Sequence, residues 1–371
     1  MSGARATSPW IRSPAWDLAF ILGPAFLAVG GVAVVPALQA PTLPAWGWLV
    51  CVVGVDVAHV WSSLWRTYLD PDEWARRRTH YVLTPVLCFS AGFVLWQVGG
   101  AALFWRVLAY LAVLHFVRQQ FGFVMVYRHR AGERGHAWID KGAIYATMLY
   151  PLAYWHAADD RVFAWFTRGD FVAAPSALAP VALALYTAAL GLFAGRQAWL
   201  LARGRPLNWP KLGVVVSTAL VWYVGIVALN SDIAFTLTNT VAHGVPYMAL
   251  VWLYGRRKWE GTGSWRERVH RPALAFAFVG VGLALAWTEE ALWDVLHWHA
   301  HAEFFGGLAV AVPEALTAAL VPLLILPQAT HYVLDAWIWK FDGSNPGLRY
   351  YLFLDGDRPG GGEPWRRRAG V

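Results

Sequence analysis

The sequence predicts an all-α, polytopic transmembrane helical bundle of about ten spans with both termini in the cytoplasm. Three observations carry that prediction. The 371 residues are 58% hydrophobic and only 14% charged, against about 45–50% and 25% in soluble domains. Windows of about 20 apolar residues, the helical length that crosses a bilayer, recur from one end of the chain to the other. The basic residues, finally, sort by loop. A soluble two-domain enzyme and a single-span anchored domain are both excluded. The net charge of +7 does not argue for a nucleic-acid partner, which would need a basic stripe on a soluble face; the expected surroundings are membrane lipids.

The first span, 17–39, follows Arg5 and Arg12 in the manner of a signal peptide. Its full spanning length and the lack of a small-residue cleavage site make it a retained helix. The second is 45–66. The third and fourth, 81–99 and 102–127, are joined so closely that they form a helical hairpin. The remaining six are placed at 139–157, 176–195, 209–229, 233–255, 271–288 and 312–339. All but four of the 30 lysines and arginines fall in loops that this map puts on one side: Arg161 and Arg168 lie opposite, and Arg106 and Arg118 lie within spans. That is the positive-inside pattern, and it places the protein in a membrane such as a bacterial inner membrane. Residues 1–345 form one transmembrane domain. Residues 346–371 form a basic cytoplasmic tail, glycine-rich at 360–362 and arginine-rich at 366–368, suited to a flexible end near anionic lipid. Cys51 and Cys88 fall inside apolar spans and read as free thiols.

Polar groups are costly inside a bilayer and mark function by default. Four histidines qualify: His59, His115, His243 and His331, on spans two, four, eight and ten. These spans run in one direction, so depth is measurable from each histidine to the next basic residue. Arg66, Arg128, Arg256 and Lys340 give roughly 10, 20, 20 and 14 Å at 1.5 Å per residue, a spread that tilts and staggers can absorb. Each histidine has polar neighbours one helical turn away: Asp56 before His59, Arg118 and Gln119 after His115, Asn239 before His243, Gln328 and Asp335 around His331. Metal-bound histidines pass their second ring N–H to such groups. The bland alternative is interhelical hydrogen bonding, at about 0.6 kcal/mol per bond. Shared depth, shared direction and repeated partners favour a metal site.

A second cluster lies at 289–303. If helical, Glu290, Asp294, His297 and His301 share one face and form a possible second metal site on the outer surface. An interfacial helix anchored by Trp293 and Trp298 explains the same pattern, and re-entry into the bundle would bring these histidines to the main site. His80, His129, His136 and His270 read as solvated interfacial groups.

Imidazole ligands suit iron, copper, zinc and nickel. Non-haem iron is preferred because zinc would imply hydrolysis and no HExxH or nucleophile-elbow motif is present. A buried histidine-held metal among apolar walls suits a hydrophobic small molecule arriving from the bilayer. The segments DVAHVWSS, LHFVRQQFGF, NTVAHG and QATHYVLDAW each hold one intramembrane histidine. Single histidines on several spans resemble the Brp/Blh carotenoid-cleaving membrane dioxygenases and, more distantly, membrane di-iron desaturases and hydroxylases. The resemblance implies an iron-dependent membrane oxygenase acting on a carotenoid or acyl lipid, with an electron donor as a possible partner. It further implies ferrous iron held by His59, His115, His243 and His331, with Asp56, Gln119, Asn239 and Asp335 behind them. Two other classes stay open: a b-haem redox protein with His115 and His243 as axial pair, and an ion- or proton-coupled transporter using Asp56, Arg118 and Asp335.

Overall fold

The computed structural model describes residues 8–158 and 160–354, and among these the chain is helical without any strand. A bilayer leaves little choice, because only a helix satisfies every backbone polar group within one segment. The long helical rods are α1 (Pro14–Val34), α2 (Ala45–Arg66), α3 and α4 (the two arms of Pro71–Arg130), α5 (Ala137–Ala157), α6 (Leu178–Ala202), α7 (Trp209–Ala228), α8 (Asp232–Trp259), α9 (Pro272–Trp298) and α10 (Glu314–Ile338). A short α11 (Leu348–Phe353) follows. Counting α3 and α4 as one, 7 helices are long and apolar enough to cross a membrane. The two rods outside that set are the polar ones: α5 carries Asp140 and Lys141, and α8 carries Asn239, His243 and a basic last turn.

The expected hairpin turns at Gly100, whose φ of 64° and ψ of −164° break the helix. Only glycine adopts that backbone freely. The Trp96 and Phe104 rings on the two arms stand 5.6 Å apart, where a continuous helix would separate their positions by about 12 Å. Helix starts follow the sequence closely. Ser13, Asp70, Asn208 and Ser231 cap α1, α3, α7 and α8, each accepting a backbone N–H from the first turn, and Pro14, Pro71 and Pro210 occupy positions where a missing N–H costs nothing. α10 breaks at Ile325 (φ −78°, ψ −2°) between Pro322 and Pro327, as prolines in a span dictate.

One end of the bundle holds buried ion networks. Arg66 Nη1 meets Glu73 Oε1 at 2.8 Å, and Arg66 Nη2 donates to the Ile338 carbonyl at 3.1 Å. Lys258 Nζ lies 2.6 Å from Asp70 Oδ2. Arg128 pairs with Asp140, and Lys211 Nζ reaches Glu133 Oε2 at 2.6 Å. Both described chain ends sit here: Arg130 Nε donates to the Trp10 carbonyl and Arg257 Nη1 to the Leu352 carbonyl. The two ends of the described chain therefore lie at the same end of the bundle.

Several expectations change. The folded part extends past 345, since Leu348, Tyr351, Leu352 and Phe353 are buried against the bundle. The glycine- and arginine-rich stretches of the tail lie outside the described residues. Arg66, Arg128, Lys211 and Lys258 are buried and ion-paired and are not solvated loop charges. His270 is equally buried, set between Trp65 and Phe278 with Nδ1 2.8 Å from the Arg266 carbonyl; burial lowers its pKa from the usual value. Cys51 and Cys88 are free thiols.

Candidate metal centre

The four intramembrane histidines converge. Each offers one ring nitrogen, and these four atoms lie within 4.8 Å of one another, all on buried residues. The rings form a closed circuit: His59 to His243 at 4.7 Å between centroids, His243 to His115 at 5.0 Å, His115 to His331 at 4.8 Å, and His331 to His59 at 5.0 Å. For metal–nitrogen bonds of about 2.1 Å, ligand nitrogens stand about 3.0–4.2 Å apart in tetrahedral, planar or octahedral geometry. The observed limit of 4.8 Å lies just outside that range.

The depth spread inferred from the next basic residue disappears because the markers are unequal. Arg66 is 1% exposed and folded inward onto Glu73 and Ile338, so His59 is deeper than a count from it implies. Arg128 and Arg256 are still inside α4 and α8. Two local features then set the heights. α2 is π-helical over Trp48–Val57, a widened coil often found beside functional residues, and its α-helical turn carrying His59 follows at once. α10 restarts after the Ile325 break, so the segment bearing His331 takes its own direction.

Gly244 sets the closest approach. A Cβ there would stand 2.8 Å from Val55 Cγ1 and 3.0 Å from the Val55 carbonyl oxygen. Its absence lets α8 lie directly on α2, and His243 Nε2 reaches His59 Nε2 at 3.1 Å. Phe116 stacks on the His243 ring at 3.7 Å, while Tyr247 and Tyr332 pack edgewise or tilted against His331 and His115 at 5.0 and 4.8 Å.

The hydrogen-bond inventory separates a ligand cluster from a structural one. Buried polar groups are normally satisfied, and leaving one unmade costs about 1–3 kcal/mol. Beyond the single His59–His243 contact, His59 Nδ1, His115 Nε2, His243 Nδ1 and both nitrogens of His331 have no hydrogen-bond partner. Interhelical glue would have paired them. One nitrogen of each ring can be given to a shared cation while the other turns to a neighbouring acceptor, so the donor set fits a metal ion.

The carboxylates stand just behind. Asp56 Oδ1 lies 3.7 Å from His59 Nδ1, on the side away from His243, which is the carboxylate–histidine–metal order. Asp335 Oδ2 is 3.7 Å from His331 Nε2 and 3.9 Å from His115 Nε2, and its Oδ1 accepts the Tyr247 hydroxyl at 2.7 Å. Asp335 is therefore placed to orient two histidines or to join them as a donor. Gln119 supports backbone instead of a ring, donating from Nε2 to the His243 carbonyl at 3.0 Å. Asn239 donates to the Phe235 carbonyl and Gln328 to the Tyr332 hydroxyl, so neither holds a histidine. Tyr247, Tyr332, Phe116 and Gly244 went unread in the sequence, because aromatics and glycines are ordinary components of membrane helices.

The second cluster does not assemble. α9 ends in a π-turn over Asp294–Trp298, and His299 follows at φ 51°, so His301 leaves the shared face. Asp294 spends its carboxylate on the Ala300 and His301 backbone N–H groups at 2.7 and 2.9 Å. His301 stacks on Trp48 at 3.8 Å, and His297 packs on Trp298. Glu290 follows Glu289, whose Oε2 accepts from Trp61 Nε1 at 2.7 Å. Among the described residues the four histidines are the group with metal-site spacing.

Beside the cluster runs a cavity of about 1040 Å³ between the α3–α4 hairpin and α10. Its walls are mainly aliphatic and aromatic, and His115, Arg118, Gln119, Tyr247, Tyr332 and Asp335 close the side toward the histidines. No protein-family model, curated protein or solved structure matches this chain.

Proposed function

We propose that this chain is an integral membrane metalloenzyme, a non-haem iron oxygenase or oxidoreductase that acts on a lipid-soluble substrate such as a carotenoid or an acyl lipid. The observation that carries the reading is the four-histidine cluster with unbonded buried nitrogens set against an apolar cavity of about 1040 Å³. An imidazole donor set backed by carboxylates suits iron, and no hydrolytic motif calls for zinc. Bound iron would supply activation of dioxygen, which apolar substrates need for oxidation. The chain's own residues do the rest. The histidines and Asp335 fix the metal, Tyr247 holds Asp335, and the cavity walls orient the substrate and keep water out. Ten spans, with the arginine-rich end of the bundle in the cytoplasm of a bacterial inner membrane, complete the reading, and an electron donor would dock at that end.

The haem alternative fits the geometry poorly. An axial pair must flank a macrocycle, yet His115 and His243 stand 5.0 Å apart between ring centroids, with His59 and His331 filling the space at their sides. Metal and pigment content of detergent-purified protein tests the proposal. Iron without a Soret band is expected, and His59→Ala, His115→Ala, His243→Ala and His331→Ala should each lower it. Full occupancy in one variant removes that residue from the set. A Soret band, or wild-type protein that takes up no transition metal, overturns the reading.

A further inference from the structure

The geometry points to Arg118 as the anchor for an anionic head group, a carboxylate or phosphate, on an amphiphile whose chain lies in the cavity beside the histidine cluster. The inference deepens the metal-centre reading and rests on it for the reacting end of the substrate.

A charged side chain within a membrane helix normally pairs with an opposite charge or faces a watery or occupied space. Arg118 lies three residues after His115, about one turn along α4 on the cavity side, and it is exposed in the cavity wall. Among the described residues no carboxylate pairs with it. The arginines buried in the bundle have partners within the chain: Arg66 with Glu73, Arg128 with Asp140, and Arg130 with the Trp10 carbonyl. Arg118 also stands twelve residues before Arg130, the end of α4, about 18 Å along the axis. It is therefore set well inside the helix, apart from the basic last turn of Arg128, His129 and Arg130. It lines the same cavity wall as His115, Gln119, Tyr332 and Asp335, which places it on the side of the cavity that faces the histidines.

An unpaired guanidinium in an apolar wall, next to a site that gathers a cation, repels that cation unless an anion lies between them. A carboxylate or phosphate offers the pair of oxygens that the planar, two-pronged guanidinium matches. The remaining cavity surface, with Leu87, Leu111, Leu114 and Val333, suits a hydrocarbon chain. Lys340 and Arg349 also line the cavity, at its mouth near the ion-network end, and are the competing anchors. Arg118 is favoured because one helical turn separates it from a ligand histidine, so a head group held there presents its first chain carbons to the cluster.

The test uses full-length protein in phosphatidylcholine nanodiscs, with tryptophan quenching by dibromostearate, by its neutral methyl ester and by dibrominated phosphatidate. Trp337 and Trp339 line the cavity and report occupancy. Wild-type protein should bind at least one of the two anionic probes more tightly than the ester. Arg118→Gln should weaken the preferred acid about tenfold or more, as loss of a charge-assisted contact does, and leave the ester unchanged. Arg118→Lys keeps the charge without the planar fork, so acid affinity should fall severalfold with ester affinity intact. Preference for stearate identifies a carboxylate head and preference for phosphatidate a phosphate head. Unchanged acid affinity in either variant, or loss in Lys340→Gln in place of Arg118→Gln, overturns the proposal. Iron is measured on the same samples: metal-free wild-type protein with Arg118-dependent binding would sink the metal-centre reading and leave the anion anchor standing.

Discussion

Tyr247 and Asp335 form the best-defined support of the cluster, because one 2.7 Å hydrogen bond fixes a carboxylate within 4 Å of two histidine rings. Removing such an outer partner typically lowers metal affinity 10- to 100-fold. Tyr247→Phe should therefore weaken iron binding by about tenfold and Asp335→Asn by more, read by competition with a chelator of known affinity; unchanged affinity in both would show that Asp335 neither orients nor binds. Gly244→Val makes a separate demand. Its added carbons meet the Val55 carbonyl, a backbone atom that cannot rotate aside, so α8 must retreat from α2 and His243 from His59. Lower iron occupancy is expected with the helix content unchanged by circular dichroism. The histidines themselves were legible in the sequence, since a polar group in a bilayer stands out from its surroundings. Asp56 and Asp335 were legible by helical spacing. Asn239 had the same spacing and turned to its own helix instead, because spacing puts two residues on one face without choosing the rotamer.

The helices bearing the cluster are held in register by the ion networks at one end of the bundle. Arg66 ends α2 and binds Glu73 at the start of α3 and the carbonyl of Ile338 at the end of α10. Lys258, at the end of α8, binds Asp70 ahead of α3. The strapped elements thus include those of His59, His243 and His331, while Gln119 ties α4 to the carbonyl of His243. Removing one partner of a buried pair leaves an uncompensated charge, at about 3–5 kcal/mol. Glu73→Ala should cost that much in a denaturant titration in detergent and should lower iron affinity too. Arg271→Ala breaks the Glu267 pair, whose arginine is 58% exposed, and should change stability by less than about 1 kcal/mol. Equal effects of the two would show that the network does not set the register. The rods and the α3–α4 hairpin were readable from hydropathy and from Gly100. The second metal face was misread because the π-turn and the left-handed His299 end a helix that hydrophobic spacing would continue, and no proline or glycine marks the stop.

For the whole molecule, the cavity decides whether a lipid-soluble compound reaches the cluster. It lies between the α3–α4 hairpin and α10, with Leu95 and Phe104 toward one end and Lys340 and Arg349 toward the other. On the proposed function, a substrate dissolved in the bilayer would enter between these elements. Its existence was not legible in the sequence, because it depends on how far two kinked elements stand apart, and kink angles follow packing more than composition. Gly122 offers a direct test. It lies two turns beyond His115 on the same face of α4 and lines the cavity, and a Cβ there meets nothing within 4 Å. Gly122→Trp should fold normally, fill the passage between mouth and cluster, and leave the four histidines in place. Displacing even two methylenes of a bound chain costs about 1.6 kcal/mol, more than tenfold in affinity. Iron occupancy should stay at the wild-type level while quenching by the dibromostearate methyl ester weakens at least tenfold. Wild-type binding in that variant would mean that hydrophobic ligands approach the histidines by another route, and loss of iron would mean that the wall and the cluster are one structural unit.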